Sequence, residues 1–480
     1  MSADFTDASG KYKFRYRRLL PSGEVAWDTT AVRQNGDIQS YRVEATIFGN
    51  TSDGTWNAKA YYYDSERGIP GAIVNNVWKH AQRQWDKNFF LQGYWSKYVS
   101  EKYRFQVSGK FALDRMRYLN PDSALMYQDN RFNQKELYLS TAHYYEILPN
   151  WQVNISADYQ YNTLDASLAN FPYPQRHTLL TALATQYDYN RLRVMASLLG
   201  THVWDRTTKG ISDDKLHQTT SRWTPAIYFS YKPFADSDDI SLRAFYKSIF
   251  RLPTFNDLYY TEVGNSNLKP ENTHQWDLGL IYAHDWYSGV FRHLELKADG
   301  YFNLVDNKIV AIPKGSGQYR WKMMNVGKVH IAGFEATAEA ALRLHRDWYL
   351  LMCLNYTYQS ATDHTDPTDN DPYYGTYGKQ IAYVPWHSGS VAANLNWKDF
   401  GVNYSFIYVG ERYHTSANIR ENYEQPWYTH DLSATYCVSY RGCKLTLGLE
   451  CNNMFNLQYD VIQNYPMPGR NWRGTLKLEF

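Results

Sequence analysis

The feature that most constrains this chain is an alternation of apolar and polar side chains that recurs along its whole length. Across residues 151–163 an apolar side chain stands at nearly every second position, with a polar one between. Successive side chains of a strand point to opposite faces, so this pattern predicts a strand with one apolar and one polar face. The same pattern recurs at 41–49, 103–113, 294–304, 350–358 and 445–451, and again at the end of the chain, 472–480. Helical spacing fits none of these runs.

Strand length and loop rhythm separate a membrane barrel from a soluble sandwich. The alternating runs commonly exceed a dozen residues, against about five or six in ordinary sheets. Short turns near 50–53, 99–102, 148–150, 188–191, 288–290, 344–347, 398–401 and 440–442 alternate with long loops at 66–84, 118–132, 164–175, 206–217, 252–271, 306–327, 360–379, 412–426 and 454–469. Outer-membrane barrels have short turns at one end and long loops at the other. We therefore predict an all-β fold, an antiparallel transmembrane β-barrel whose apolar face contacts lipid and whose charged face lines the lumen.

The strand count predicts an incomplete barrel. Nineteen strands are expected from Ile38 onward, and residues 12–20 either add one more or form an arm of the first long loop. Barrels of this class have even strand numbers, and those with about 22 strands are plugged transporters. We expect about 19–20 of these strands here, without the N-terminal plug. Residues 1–37 are then a truncated start, in the first long extracellular loop or a strand, and 38–480 are the barrel. The region near Ile38 and the last strand should face each other across a gap.

Composition narrows the class of partner. Lys plus Arg number 50 and Asp plus Glu 48, so a net charge of +2 gives no reason to expect nucleic acid. Mean hydropathy is −0.61, and no stretch approaches the length of an apolar transmembrane helix. In a barrel strand apolar and polar residues alternate, so averaging hydropathy along the strand gives no transmembrane signal. The 44 tyrosines and 16 tryptophans suit membrane interfaces and binding surfaces. The first residues lack the basic head and apolar core of a signal peptide.

The positions of the cysteines and the lack of catalytic motifs predict neither disulfides nor catalysis. The chain has four cysteines, and Cys437 and Cys443 stand in opposite phases of their strands, so all four should remain unpaired. Hydrolase, zinc-protease, P-loop and dinucleotide motifs are missing from the sequence, so we expect no enzyme, no cofactor and no metal. One acidic loop carries four carboxylates that could bind calcium, Asp363, Asp366, Asp369 and Asp371. Their spacing lacks the EF-hand register, which favours a solvated loop.

Three segments carry a resemblance to a known family. Residues 249–271 contain Phe-Arg-x-Pro, then Leu-Tyr, then Leu-x-Pro-Glu; residues 451–459 contain an Asn-x-Phe-Asn segment ending on Tyr; and a Pro-Gly-Arg leads into a last strand that ends on Phe. In this order they resemble the C-terminal half of TonB-dependent outer-membrane receptors. The matching positions, which we expect to be structural, are Arg251, Pro253, Leu268, Pro270, Glu271, Asn453, Phe455, Tyr459, Arg470 and Phe480.

The resemblance implies a 22-stranded barrel filled by a plug, in the outer membrane of a Gram-negative bacterium. It implies outer-membrane lipid and a small-molecule ligand as partners, with the TonB complex acting through a plug that this chain lacks. A surface lipoprotein is a further candidate partner. The implied function is energised uptake of a scarce metal chelate or cofactor, such as cobalamin or an iron-siderophore. Haem-binding members carry a histidine between the halves of 250–271, and none occurs here, which disfavours haem. A general resemblance of 61–90 favours a corrinoid.

Aromatic residues in the long loops are the candidate ligand contacts. Trp78, Tyr259, Tyr260, Tyr373, Tyr374 and Tyr377 are of this kind. Aromatic anchors on loops suit a bulky, partly apolar ligand, whereas a membrane girdle or loop packing would use the same residues. Three alternatives stay open: a passive porin-like channel, a soluble β-rich binding protein, and a non-functional truncated receptor fragment.

Overall fold

A computed structural model describes residues 1–19, 24–73, 80–121, 127–208, 217–260, 264–313, 321–440 and 442–479. The strands of the main sheet are β1 (Ser2–Ala8), β4 (Ile38–Thr51), β5 (Gly54–Ile69), β6 (Gln82–Ser100), β7 (Tyr103–Asn120), β8 (Gln128–Leu148), β9 (Trp151–Ala166), β10 (Gln175–Tyr189), β11 (Leu192–Arg206), β12 (His217–Tyr231), β13 (Ile240–Arg251), β14 (Glu271–Asp285), β15 (Phe291–Pro313), β16 (Trp321–His345), β17 (Trp348–Asp363), β18 (His387–Trp397), β19 (Phe400–Val409), β22 (Trp427–Tyr440), β23 (Cys443–Asn452) and β26 (Asn471–Glu479).

Smaller elements lie in the long connections. They are the strands β2 (Lys13–Leu19), β3 (Val25–Val32), β20 (Arg412–Tyr413), β21 (Tyr423–Glu424), β24 (Asp460–Ile462) and β25 (Tyr465–Pro466), the helix α1 (Phe255–Tyr259) and a 3₁₀ turn at Arg420–Asn422. Each minor pair of strands forms a two-stranded hairpin of its own. Among the described residues, no helix is long and apolar enough to cross a membrane.

The main sheet has 20 antiparallel strands, which confirms the predicted all-β barrel architecture. Each strand of the main sheet pairs with the next strand of that sheet along the chain, from β1 with β4 through to β23 with β26. All of these strands except β1 lie at or beyond Ile38, which confirms the expected nineteen. Simple nearest-neighbour order follows from the short turns, because two antiparallel strands joined by two residues can only lie side by side.

The start of the chain differs from the expectation. Residues Ser2–Ala8 form β1, a strand of the main sheet that pairs with β4, so that Ala8 lies opposite Ile38. The sheet therefore begins at Ser2, and of residues 12–20 the stretch Lys13–Leu19 forms β2 of the β2–β3 hairpin in the first long connection. The edges of the described sheet are β1 and β26, so the expectation that the strand at Ile38 faces the gap was wrong. Alternation missed β1 because Phe5 is its one large apolar side chain.

The two ends of the barrel have the predicted asymmetry. At one end, several connections are two-residue turns, such as those joining β10 to β11 and β18 to β19. Asn190 and Lys398 occupy these turns with left-handed φ angles of 53° and 51°. At the other end the connections are long, and they include residues 252–270, 364–386 and 453–470. We call these the short-turn end and the long-loop end.

The two faces of the sheet have opposite chemistry. Outward side chains such as Leu139, Ile155 and Leu183 are 49%, 57% and 52% exposed. Lumenal side chains pair their charges across strands: Lys110 Nζ lies 3.1 Å from Glu136 Oε1, and Arg243 Nη2 lies 2.7 Å from Asp299 Oδ1. Cross-strand pairs of this kind stabilise neighbouring strands while keeping charge away from lipid.

The cysteine prediction is confirmed. Cys353, Cys437, Cys443 and Cys451 are all free. Cys437 lies opposite Thr446 and Cys443 opposite Tyr440, so the alternation of their strands turns them to opposite faces of the sheet.

The two faces should respond differently to charge. Arginine at Ala157, which lies mid-strand on the outward face, should cost roughly 2–4 kcal/mol of unfolding free energy, because its guanidinium would enter hydrocarbon. Arginine at Asn154, on the lumenal face of the same strand, should cost far less. Urea unfolding from lipid vesicles measures both variants, and equal losses would contradict the assignment of the faces.

Candidate functional site at the long-loop end

Residues 252–260 and 264–270, which we call the fold-back segment, turn from the end of β13 into the mouth of the barrel. Pro253 lacks an amide hydrogen and cannot continue the ladder, so β13 ends at Arg251. Helix α1 then begins with a capping box: Thr254 Oγ1 accepts from the Asp257 amide at 3.1 Å, and Asp257 Oδ2 accepts from the Thr254 amide at 2.9 Å. This reciprocal cap fixes the direction in which the segment enters.

Helix α1 packs into an apolar cluster on the lumenal side of distant strands. The buried members are Phe132, Leu164, Phe171 and Phe255. Tyr260 packs on Phe132 with ring centroids 5.5 Å apart, and Tyr259 meets Phe171 edge-on at 6.2 Å. Because these contacts join β13 to β8 and β9, the segment reaches several strands across the mouth. Burial of large aromatic rings is the main stabilising term for such a contact.

An ion pair anchors the entry of the fold-back segment. Arg176 on β10 donates to both carboxylate oxygens of Asp205 on β11, at 2.7 and 2.8 Å. Its remaining Nη1 donates to the Pro253 carbonyl at 2.8 Å, and its guanidinium lies 5.1 Å from the centre of the Phe255 ring. A bidentate pair has a fixed geometry, so it holds the guanidinium where the carbonyl and the ring need it.

The returning half of the segment is held by the β15–β16 hairpin. Asn265 Nδ2 donates to the Met323 carbonyl at 3.0 Å, and Asn325 Oδ1 accepts from the Lys269 amide at 2.8 Å. Leu268 is buried. Glu271 Oε2 accepts from the Ile309 amide at 2.9 Å. The segment is therefore fixed at its entry, its middle and its return.

Arg251 links the two ends of the segment. Its Nη2 lies 3.3 Å from Asp257 Oδ2, and its Nη1 lies 3.8 Å from Glu271 Oε2. Arg251, Pro253, Leu268 and Glu271 thus all make contacts within the protein, and the structural role expected for them stays a prediction. Pro270 precedes β14, where a missing amide hydrogen breaks no ladder.

Tyr259 and Tyr260 fill the mouth of the barrel rather than project from it. Burial raises the pKa of both phenols. A cavity of about 70 Å³ lies beside Tyr259, Arg176 and Asp205, which is far below the several hundred Å³ of a ligand pocket. These two half-buried rings pack within the protein in this conformation, and their contact with a ligand stays a prediction.

The loop 364–386 presents the other tyrosines. Tyr373 and Tyr374 are 71% and 79% exposed, whereas the Tyr377 ring stacks edge-on to His364 at 5.1 Å. Asp371 Oδ1 accepts from the amides of both Tyr373 and Tyr374 at 2.8 Å, which fixes the turn that displays them. Of the candidate aromatics in the described residues, Tyr373 and Tyr374 are the ones open to a ligand.

The carboxylates of this loop are engaged with their own turns. Asp363 accepts from the Thr365 amide, Asp366 from the Thr368 amide and hydroxyl, and Asp369 from the Thr376 amide and hydroxyl. Within the described parts of the chain, no group of three or more histidine, cysteine or acidic side chains could hold a metal ion.

A second buried cluster ties four long connections together. Arg412 donates to the Gln425 carbonyl at 3.2 Å and to the Asp460 and Val461 carbonyls at 2.9 and 3.0 Å. Arg33 donates to the Gly71 carbonyl. Both arginines are only 2% exposed.

The charge balance of this cluster centres on Asp460. Burial, reinforced by the nearby charge of Glu424, raises the pKa of Asp460 to about 6. Its Oδ2 still accepts from the Asn464 amide at 3.1 Å. Asp460 thus carries a carboxyl that changes charge near neutral pH inside a cluster of loops.

The C-terminal motif at residues 451–459 holds the last long loop in place through side-chain contacts. Asn453 is buried, and its side chain donates to the Leu457 carbonyl at 2.8 Å and accepts from the Leu457 amide at 2.9 Å. Tyr459 stacks on Trp427 at 4.6 Å, and the Arg470 amide donates to Asn456 Oδ1 at 2.9 Å.

Phe455 is 67% exposed and packs edge-on against His430 at 4.8 Å. Trp78 and Phe480 lie outside the described residues.

The anchoring residues Arg176, Asp205, Arg412 and Asp460 were not singled out from the sequence. Each stands alone in its strand or loop, and its partner is far away along the chain. The one available signal is a charged residue within a few positions of a strand end, which many exposed residues share.

The lumen also holds ligand-sized space near the short-turn end. A cavity of about 590 Å³ is lined by Lys102, Arg104, Tyr144 and Gln186, among others. The Arg104 guanidinium lies 4.4 Å from the centre of the Tyr144 ring, a cation–π contact that fixes its position.

Comparison with protein families gives a match over nearly the whole chain. Residues 3–454 match the model described as "TonB dependent receptor-like, beta-barrel". The vitamin B12 transporter BtuB of Photobacterium profundum is 25% identical over 273 residues, which cover 56% of this chain and 39% of that protein. The BtuB protein of Vibrio vulnificus is 26% identical over 256 residues, covering 51% and 36%. The aligned region thus spans well under half the length of these relatives.

Solved structures show the same fold at low identity. The copper transporter OprC superposes with a TM-score of 0.72 at 14% identity, covering 99% of this chain and 78% of that one. The FrpB iron transporter of Neisseria meningitidis superposes with a TM-score of 0.73 at 12% identity, covering 99% and 77%. The unliganded ferric citrate transporter FecA gives 0.69 at 14% identity, covering 99% and 75%.

Removing the anchor of the fold-back segment should loosen it. Asp205→Asn keeps the shape of the pair but leaves the Arg176 guanidinium largely buried without a counter-charge, which should cost about 3 kcal/mol of unfolding free energy. Residues 252–270 should also become accessible to proteases. The matched control is Asp238→Asn, which breaks the exposed pair of Asp238 with Lys232 and should cost less than about 1 kcal/mol. Similar losses in both variants would contradict the anchoring role.

The Asp460 cluster should be weaker at high pH. The folded-state pKa of about 6 lies above the ordinary value of 3.8. Between these values the folded chain holds a proton that the unfolded chain has lost, so stability falls as pH rises from about 4 to about 6 and then levels off. Asp460→Asn should remove this dependence and be the more stable protein at neutral pH. Unfolding of both proteins across this pH range measures the effect, and parallel curves would contradict it.

Proposed function

Because the chain belongs to the TonB-dependent receptor family, we propose that it forms the barrel of an outer-membrane receptor that takes up a scarce metal chelate or cofactor. In this proposal the protein lies in the outer membrane of a Gram-negative bacterium. Uptake draws on energy delivered by the TonB complex, through a plug that occupies the lumen. The observation that carries the proposal is the family match over residues 3–454, on a sheet whose strand order and loop asymmetry follow that family.

The geometry of the long-loop end supports capture from outside the cell. The fold-back segment narrows the mouth, while Tyr373 and Tyr374 stand exposed on a turn fixed by Asp371. A bulky ligand with apolar surface would be held first by such rings, because an aromatic side chain offers large contact area with little loss of conformational freedom. Movement of the fold-back segment would then open the lumen.

The names of the relatives support a corrinoid as the ligand class. Both relatives described above are named vitamin B12 transporters. The similar solved structures carry names for copper, iron and ferric citrate transport, and at their low identity they support the fold alone. We therefore propose cobalamin first and a ferric siderophore second.

Ligand binding tests the proposal directly. Addition of cyanocobalamin should quench the tryptophan fluorescence of the full chain in detergent. Ferrichrome and hemin serve as competitors. Replacing both Tyr373 and Tyr374 by alanine should weaken binding about tenfold, since an aromatic hot spot contributes more than about 1 kcal/mol. The control is Tyr287→Ala, a fully exposed tyrosine in a connection at the short-turn end. That variant should bind as wild type.

Two results would overturn the ligand assignment. Failure of cyanocobalamin and ferrichrome alike to bind would remove the proposed ligand class. Equal weakening by the loop variant and by Tyr287→Ala would remove the loop tyrosines as the contact.

A further inference from the structure

A contact between tyrosine and histidine recurs five times on the outward face of the barrel. In each case a tyrosine hydroxyl lies within hydrogen-bonding distance of a histidine Nδ1 on the neighbouring strand. The pairs and their distances are Tyr103–His143 at 2.8 Å, Tyr159–His177 at 2.7 Å, Tyr246–His274 at 2.9 Å, Tyr356–His387 at 2.9 Å and Tyr404–His430 at 2.7 Å. All five are diagonal neighbours across an antiparallel pair of strands.

Four of these histidines lie at the long-loop end, close to where β10, β14, β18 and β22 begin. His202 on β11 and His330 on β16 lie on the same face near the same end, His202 Nδ1 3.1 Å from Ser221 Oγ and His330 stacked on His364 at 4.0 Å. We call the six residues His177, His202, His274, His330, His387 and His430 the histidine belt. The remaining pair, Tyr103–His143, lies at the short-turn end of β7.

The belt faces outward, at the edge of the apolar band. His177 lies opposite Trp204, which is 42% exposed, while its chain neighbour Arg176 points inward to Asp205. On the side toward the short turns, the same face carries exposed apolar side chains such as Leu183 and Leu278, which are 52% and 68% exposed. The belt therefore lies where an apolar band ends and polar loops begin, the depth of lipid headgroups.

In the four belt histidines that contact a tyrosine, the phenol fixes which edge of the imidazole faces away from the sheet. With Nδ1 engaged by the phenol, Nε2 is the nitrogen left to meet a headgroup. In the neutral ring the phenol O–H donates to Nδ1 and Nε2 carries the hydrogen; in the charged ring both nitrogens donate. Histidine gains this charge at mildly acidic pH, and a phosphate oxygen accepts from such a donor more strongly than from a neutral one.

Permanent cations continue the belt on strands that lack a histidine there. Lys87 on β6, Arg115 on β7 and Lys135 on β8 lie on the outward face, and Lys87 is opposite Arg115. Lys135 lies two residues closer to the long loops than Leu137, which is in register with Tyr161 and His177. Lys87 also pairs with Asp64 at 3.0 Å. Other charged or titratable side chains on this face beside the belt include Asp165, Arg206, His217, Asp306 and Lys328. Beside Lys87 and Arg115, Arg117 pairs with Asp129 at 2.8 Å, and Arg83 pairs with Asp37 at 2.9 Å and with Glu66 at 2.8 Å. Cations outnumber carboxylates here, so an anionic partner fits.

We propose that the histidine belt, continued by Arg115 and Lys135, is a binding site for phosphate-bearing headgroups of the lipids that surround the long-loop end. The site goes beyond ligand uptake and rests on the proposed function only in placing this end in a lipid leaflet. Phosphate suits it because each headgroup offers several acceptor oxygens to donors spaced along the rim of the barrel.

Lipid binding at two pH values tests the proposal. The full chain in dodecyl maltoside is titrated with short-chain phosphatidylglycerol, a phosphodiester that keeps one negative charge at both pH values, or with phosphatidylcholine as the neutral comparison, and bound lipid is counted by native mass spectrometry. Phosphatidylglycerol should bind about tenfold tighter near pH 5.5 than near pH 7.5, because protonated imidazoles add favourable charge at the surface. Phosphatidylcholine binding should not change with pH.

Matched variants locate the effect. Exchanging His177, His274, His387 and His430 for glutamine should remove most of the pH dependence, because four of the six belt histidines are then uncharged at both pH values. The control is His143→Gln, which removes the same tyrosine contact at the opposite end and should keep the full pH dependence. Circular dichroism checks that both variants retain the strand content of wild type. Cyanocobalamin binding, read in parallel, reports on the uptake function separately.

Three results would overturn the proposal: phosphatidylglycerol binding that is the same at both pH values, loss of the pH dependence in His143→Gln as in the belt variant, or competition by inorganic phosphate as strong as that by the lipid. The last result would indicate a site for soluble anions rather than for a lipid surface.

Discussion

The backbone ladder is the constraint on which the rest of this structure depends. In hydrocarbon no water is present to satisfy an amide or a carbonyl, so a spanning strand needs hydrogen-bonding neighbours on both sides. Long antiparallel strands joined by tight turns meet this demand at 18 of the 20 strands of the described sheet, leaving β1 and β26 as its edges. Once the ladder is fixed, the pleat decides everything about the faces. Charges such as Lys110 and Arg243 pair in the lumen because the alternation gives them no other place.

Because backbone hydrogen bonds hold the sheet together, the side chains at its two ends can take other roles. The fold-back segment uses that freedom: a bidentate ion pair, a capping box and an aromatic cluster hold residues that the ladder does not hold. The ion pair and the capping box are polar and partly exposed, so each contributes less than a fully buried core would. A segment fixed by a few separable anchors can be released at one of them, which suits a part of a receptor that has to move.

The sequence predicted well what depends on local pattern and poorly what depends on distant contacts. Strand positions, the nineteen strands from Ile38 onward, the two faces and the phases of Cys437 and Cys443 all follow from alternation with a period of two. Strand β1 escaped because its side chains are short and polar apart from Phe5.

The loop aromatics show the same limit. Tyr259 and Tyr373 look equivalent in the sequence, yet one is packed against Phe171 from a distant loop and the other is exposed. No local pattern could distinguish them, because the difference lies in partners about ninety residues away in the chain.

The tyrosine–histidine pairs show how one contact acquires different meanings at the two ends of a barrel. The hydrogen-bond distances of Tyr103–His143 and Tyr404–His430 are nearly the same, 2.8 and 2.7 Å, since both pairs are diagonal neighbours on an antiparallel ladder. Geometry alone therefore cannot assign a role to either pair. What differs is the surroundings: at the long-loop end the contact repeats from strand to strand, and lysine and arginine continue it where histidine is missing. Repetition around a rim turns isolated hydrogen bonds into a charged surface, and a surface can bind a sheet of headgroups.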